Sequence, residues 1–165
     1  MKPLRKAAMI TLEEAHEWFS YDPETGVMRW KKRKAQTIHV GDEAGIKLDF
    51  AGYKNVLFNG KRYKIHRLAW FMTHGYWPEA VDHINRVTYD NTMANLRSVT
   101  KAQNMQNQLR TNNKYLPGVT KQRNFVAQIS VNGKGVYLGT FKEEMQAHLA
   151  YMEAKAKYHK FWNGK

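Results

Sequence analysis

The chain of 165 residues contains no cysteine. That removes disulfides and thiolate zinc sites together, so a metal could be held only by oxygen and imidazole and zinc is not expected. Long apolar runs are also missing: none approaches the length that crosses a bilayer, and no hydrophobic segment succeeds MKPLRKAAMI. A membrane role is therefore not expected, and the cytosol is the default compartment. Acidic residues are few, 14 against 27 Lys and Arg, for a net charge of +13 with neutral histidines. Such an excess points to a polyanionic partner, nucleic acid before anionic membrane. The chain does have an ordinary share of apolar residues, 42%, enough for one domain or two small ones.

Three regions differ in pattern. Residues 1–65 read as a β-rich piece that either binds DNA or braces the middle region. In TLEEAHEWF, Thr11 and Glu14 form a capping box for a short helix. Turn chemistry comes next at Asp22 to Gly26, and VMRW reads as a strand. GYKNVLFNGKRYKIH alternates about Asn59-Gly60, a hairpin signal. In residues 66–110, HRLAWFMTHGYWP carries a helical apolar face of Leu68, Ala69, Phe71 and Met72, ended by Gly75 and Pro78. A second helix should start near Lys101 behind Thr100 and Gln103. The polar QNMQNQLRTNNK then reads as a fraying helix end and a linker. In residues 111–165, FVAQISV alternates, Asn132-Gly133 signals a hairpin, and GVYLGTF returns as a strand. A helix from about Lys142 places Met145, Leu149, Met152 and Ala156 at helical spacing. Nine basic and three acidic residues give this last region +6, against +7 for the rest.

The stretch VDHINRVTYDNTMANLRSVTKAQN concentrates carboxamides around one Asp-His pair. Adjacent residues on a strand face opposite ways. Two readings of the pair stand. Asp82 could be a turn-stabilising carboxylate beside a solvated His83. Alternatively Asp82 and Asn104, one turn into the helix after Thr100, could meet over a hard cation such as magnesium or manganese. His83 would then take a proton from water. His66, at the start of HRLAW, reads as a capping or core-edge histidine. Asn85 and Asn91 have only a structural claim, as turn formers.

HRLAW, WPEAVDHIN, DNTMANLRSVT and KAQN, in that order over about residues 60–108, resemble the HNH endonucleases of phage and intron-homing type. The resemblance implies a β-β-α metal finger with Asp82 and Asn104 as ligands to magnesium or manganese and His83 as general base. It implies for Asn95 the tying of the loop and a hydrogen bond that orients the histidine. Many relatives carry a histidine where Asn104 stands, and the homing branch uses asparagine.

PGVTKQRNFVAQISVNGKGVYLGTF and the helix after it resemble the APETALA/ethylene-response-factor (ERF) type of DNA-binding domain. The resemblance rests on Gly118-Val119, the Phe-x-Ala-x-Ile strand, Leu138 to Phe141, and Ala147 and Tyr151 in the helix. It implies a three-stranded sheet lying in the major groove with the helix behind. The residue pattern offers Thr120, Gln122, Gln128 and Ser130 to bases and Lys121, Arg123 and Lys134 to phosphates. Covering the helix would be Phe125, Ala127 and Ile129, packed on Met145, Leu149 and Met152. The plant domains carry arginines and tryptophans on the contacting face, which this sequence mostly lacks. Lys31, Lys32 and Arg33, within a basic run, could grip phosphates or be a solvated face.

The expected fold is thus α+β: a small antiparallel N-terminal sheet, a central HNH finger, and a C-terminal three-stranded sheet packed on one helix. The expected activity is metal-dependent nicking of double-stranded DNA at a preferred site by a monomer, phage-encoded and acting in the host cytoplasm. The rival is a DNA-binding regulator built on a finger that does not cut.

Overall fold

The computed structural model describes residues 9–107 and 114–160. The expected linker and the two chain ends thus lie, wholly or in part, outside the described residues. The chain divides into two compact units, Met1–Lys101 and Ala102–Lys165. The architecture is α+β, with small antiparallel sheets throughout.

In the first unit, α1 (Leu12–Trp18) opens with both halves of the expected capping box, Glu14 N–H to Thr11 Oγ1 and Thr11 N–H to Glu14 Oε2. The helix runs directly into β1 (Phe19–Tyr21), which pairs with β2 (Met28–Trp30). Asp22 closes the turn between them by accepting from the backbone N–H of Glu24 at 2.9 Å. β3 (Asn55–Phe58) and β4 (Lys61–Lys64) form the hairpin announced by Asn59-Gly60, and both turn residues take positive φ, 46° and 74°. Those values are what a two-residue turn matching strand twist requires. α2 (Ile65–His74) stops at left-handed Gly75. β5 (Ala80–His83) and β6 (Leu96–Val99) make the third two-stranded sheet.

These elements share one core. Phe19 and Met28 from the first hairpin, Val56 and Phe58 from the second, Ile65 and Leu68 from α2, and Val81 and Leu96 from the third all lie in it. Each such large side chain, fully buried, favours folding by about 1.5–3 kcal/mol. Residues on both sides of position 65 therefore stabilise one another.

In the second unit, which begins within α3 (Lys101–Asn107), β7 (Val119–Lys121), β8 (Phe125–Val131) and β9 (Lys134–Phe141) form an antiparallel sheet in the order β7-β8-β9. It packs on α4 (Glu144–Tyr158) through Val119, Ala127 and Ala147. Here the expected packing stripe needs correction. Met145 and Leu149 are more than half exposed, at 56% and 55%. Ala147, Ala154 and Lys155 are the buried residues of the helix instead. The helix comes close at Gly118, where a Cβ would lie 2.0 Å from the Tyr151 ring. Among the described residues no helix is long and apolar enough to cross a membrane.

Candidate active site

β5 delivers Asp82 and His83 as neighbours, and both are buried, at 6% and 4% exposure. Alternation sends them to different surroundings. Asp82 faces its cross-strand partner Arg97 on β6, whose Nε and Nη2 donate to Asp82 Oδ2 at 2.8 and 2.6 Å. Charge-assisted bonds of this length hold the carboxylate in one orientation.

His83 packs among aromatic rings. Its ring centroid lies 4.9 Å from that of His66 and 5.9 Å from that of Tyr53. His66 comes from the first turn of α2, and its Nδ1 is buried with no partner among the described residues. Burial, reinforced by His83 and Lys64, pushes the His66 pKa down to about 3. His83 is also lowered, chiefly by burial, against the opposing pull of Asn91, Asp82 and Asp90. Both rings are thus biased toward the neutral form at neutral pH, and a neutral imidazole is what can accept a proton.

The hydrogen bond expected from Asn95 to the histidine is made by a different carboxamide. His83 Nε2 meets Asn91 Oδ1 at 3.1 Å. With the amide oxygen as acceptor, Nε2–H donates and the ring lone pair falls on Nδ1. Asn95 instead ties the loop. Its Oδ1 accepts from Asn85 N–H at 2.9 Å, and its Nδ2 donates to the Asp90 carbonyl at 2.8 Å. Asn85 in turn donates to Asp90 Oδ2 at 2.7 Å, and Thr92 Oγ1 donates to Asp90 Oδ1 at 2.9 Å. Asn85, Asp90, Thr92 and Asn95 thus form a cage of side-chain bonds, to backbone and to one another.

The first hairpin braces the cage. Tyr21 Oη donates to the Asn91 carbonyl at 2.7 Å, and Met93 N–H donates to the Pro23 carbonyl at 2.9 Å. Gly26, at φ 71°, lies so close that a Cβ there would sit 2.5 Å from the backbone of Asn91 and Thr92. Asn91, at 2% exposure, is consequently fixed from behind by Tyr21 and Gly26. The sequence pattern assigns Asn91 only a turn; no signal in its spacing distinguishes it from Asn95.

The donors present suit one hard cation better than zinc. Oxygen donors of this kind suit magnesium or manganese, which takes few protein ligands and leaves the remainder to water and phosphate, although Asp82 Oδ2 already pairs with the Arg97 guanidinium. Among the described residues no group of three or more His, Cys, Asp or Glu gathers as a metal cluster. Asn104, the second expected ligand, belongs to α3 and to the second unit.

The residues expected to meet DNA are exposed. Thr120, Lys121, Gln122, Arg123, Gln128, Ser130 and Lys134 are all so in the second unit. In the first, Lys31 donates to the His16 carbonyl at 2.6 Å, Lys32 pairs with Glu17, and Arg33 reaches the Ala35 carbonyl at 3.3 Å. That run is folded back along the unit's surface.

Residues 63–106 match the family of HNH endonucleases, a stretch that holds Asp82, His83, Asn91, Asn95 and Asn104. The chain is also similar to a solved structure concerning DNA binding and cleavage by the HNH homing endonuclease I-HmuI, with 23% identity and a TM-score of 0.44. The similarity covers 60% of this chain and 56% of that one, so this chain spans little more than half of its length. No curated protein matches.

Proposed function

We propose that the protein is a divalent-metal-dependent endonuclease of the HNH type that hydrolyses phosphodiesters of double-stranded DNA. One observation carries the reading: the stretch matching the HNH endonucleases folds so that Asp82 and a buried, carboxamide-held His83 stand side by side on one strand. Asp82, with Asn104 as the second ligand implied by the resemblance, would hold the cation. Bound there, magnesium or manganese would supply charge stabilisation to the phosphodiester. The chain's own contribution is to orient and deprotonate. Asn91 holds the His83 ring so that Nδ1 takes a proton from water. The water oxygen bonds to phosphorus as the bond to the leaving oxygen breaks. Arg97 fixes the Asp82 carboxylate.

The second unit holds DNA in this proposal, through Thr120, Gln122, Gln128 and Ser130 toward bases and Lys121, Arg123 and Lys134 toward phosphates. Lys31, Lys32 and Arg33 add phosphate contacts from the first unit. One finger cuts one strand, so a monomer nicks, and sequence preference would arise from the sheet face.

Supercoiled plasmid incubated with magnesium, with manganese and with excess chelator tests the reading, with phage or bacterial genomic DNA used next if the plasmid lacks a site. Metal-dependent open circles are expected. Tight binding without cleavage on every substrate would instead indicate a regulator on a silent finger. The bond from Arg97 to Asp82 is the observation that favours this second reading, because a guanidinium already stands at the carboxylate.

A further inference from the structure

We propose that Phe50 is an apolar wedge that enters duplex DNA beside the cutting site. The proposal rests on the DNA-cleaving reading above and adds a contact which that reading does not contain. Phe50 is fully exposed, at 110% relative accessibility, the highest of the exposed large apolar residues among those described. Ile46 and Leu48, just before it, are exposed at 67% and 52%.

The turn that carries Phe50 is firmly built. Asp49 Oδ1 accepts from Ala51 N–H at 3.0 Å and Tyr53 N–H at 2.9 Å. Asp49 N–H donates to the Tyr53 carbonyl at 2.8 Å, and Gly52 N–H to the Asp49 carbonyl at 2.9 Å. The Phe50 side chain stands out from this closed turn into solvent. The turn is also pinned to the catalytic loop, since Thr88 Oγ1 donates to the Gly52 carbonyl at 2.7 Å. Three residues on, the Tyr53 ring packs against His66 and His83, at 5.0 and 5.9 Å between centroids. Three peptide steps span at most about 11 Å. Phe50 and Tyr53, whose ring touches both imidazoles, therefore stand closer together along the backbone than half a turn of duplex, roughly 17 Å.

The charge around the wedge suits a polyanion. Residues 43–64 hold five basic side chains, Lys47, Lys54, Lys61, Arg62 and Lys64, against the acids Glu43 and Asp49, and Glu43 is taken up by Lys54 at 2.7 Å. Asp49 is itself spent on the turn and on Lys64, 4.0 Å away. Apolar side chains on basic surfaces enter between base pairs, unstack one step and kink the helix. Such a kink would widen the groove at the phosphate presented to His83.

The test is plasmid unwinding in chelator, where cleavage is absent. Relaxed closed circles are incubated with the full chain and a metal-independent type I topoisomerase, then stripped of protein and resolved as topoisomers. Binding is measured in parallel by gel retardation, so that variants are compared at equal occupancy. The wild-type chain is expected to lower the linking number. Phe50→Ala should lose at least half of that shift while its dissociation constant rises less than about tenfold, and Phe50→Trp should retain it. Because the side chain packs on nothing, the alanine variant should fold, and an unchanged thermal midpoint checks this. Equal unwinding by wild type and Phe50→Ala, or unwinding by neither, overturns the wedge while leaving the nuclease intact. Failure to bind plasmid at all overturns the DNA reading and the wedge together. Loss of binding to anionic phosphatidylserine vesicles, or of a dimer in sedimentation, with unwinding unchanged would assign Phe50 to a lipid surface or a second copy.

Discussion

Asn91 and Asn95 sit four residues apart in one loop and do different work. Asn91 holds the His83 ring, whereas Asn95 holds the loop's own backbone. Asn91→Ala should therefore lower cleavage about 10- to 100-fold, as loss of an orienting partner does. DNA affinity and folding should be little changed, which parallel nicking and retardation assays would show; unchanged cleavage would remove Asn91 from the site. The second prediction at this scale concerns His66. Its folded pKa, about 3, lies below the unfolded value near 6.5, so the unfolded state binds the extra proton first. Stability is whole above pH 6.5 and falls progressively as pH drops from there toward about 3. At pH 5 the loss is about 2 kcal/mol relative to neutral pH. His66→Phe, which keeps a ring against Tyr53 and removes an orphaned Nδ1, should unfold in denaturant with a shallower acid dependence. A wild-type slope persisting in that variant would contradict the assignment.

The element that matters most to the site lies outside it. The β1–β2 hairpin supplies Tyr21 and Gly26 to the back of the Asn91 loop, seventy residues away from Tyr21 in sequence. Gly26→Ala introduces both a positive-φ penalty and a Cβ at 2.5 Å from backbone, so at least 1–3 kcal/mol of destabilisation is expected. Thermal or denaturant unfolding measures this, and a variant as stable as wild type would mean the hairpin does not brace the loop. Such a contact is invisible to sequence patterns, which report neighbours along the chain. The legible features were local: the Thr11 box, the Asn59-Gly60 and Asn132-Gly133 turns, Gly75 and the alternation of β8 all write their geometry in adjacent residues. The packing side of α4 was not legible, since Met145, Leu149 and Met152 carry the stronger apolar signal. The residues α4 buries are Ala147, Ala154 and Lys155, and the ring of Tyr151 lies against Gly118, a face that no apolar stripe announces. Within the site, Asp82 and His83 stood out by composition and resemblance. Arg97 opposite Asp82 depended on strand register, which only folding fixes.

At the scale of the whole molecule, positive charge is shared between the two units, so DNA binding should be strongly salt-dependent. Each neutralised phosphate contributes about 0.9 to the slope of log affinity against log salt. Six to eight contacts spread over both units would give a slope of about 5–7; a slope near one or two would contradict an extended basic track. On the proposed function the fold divides its labour: a braced core presents Asp82 and His83, while exposed polar and basic side chains are left to meet the duplex. The most direct test of that division is His83→Ala, assayed for metal-dependent nicking and for DNA retardation on the same preparation. The account predicts nicking reduced by about 10²-fold or more with binding within about threefold of wild type. Nicking at the normal rate would show that His83 is not the base, and the proposed chemistry would fail with it.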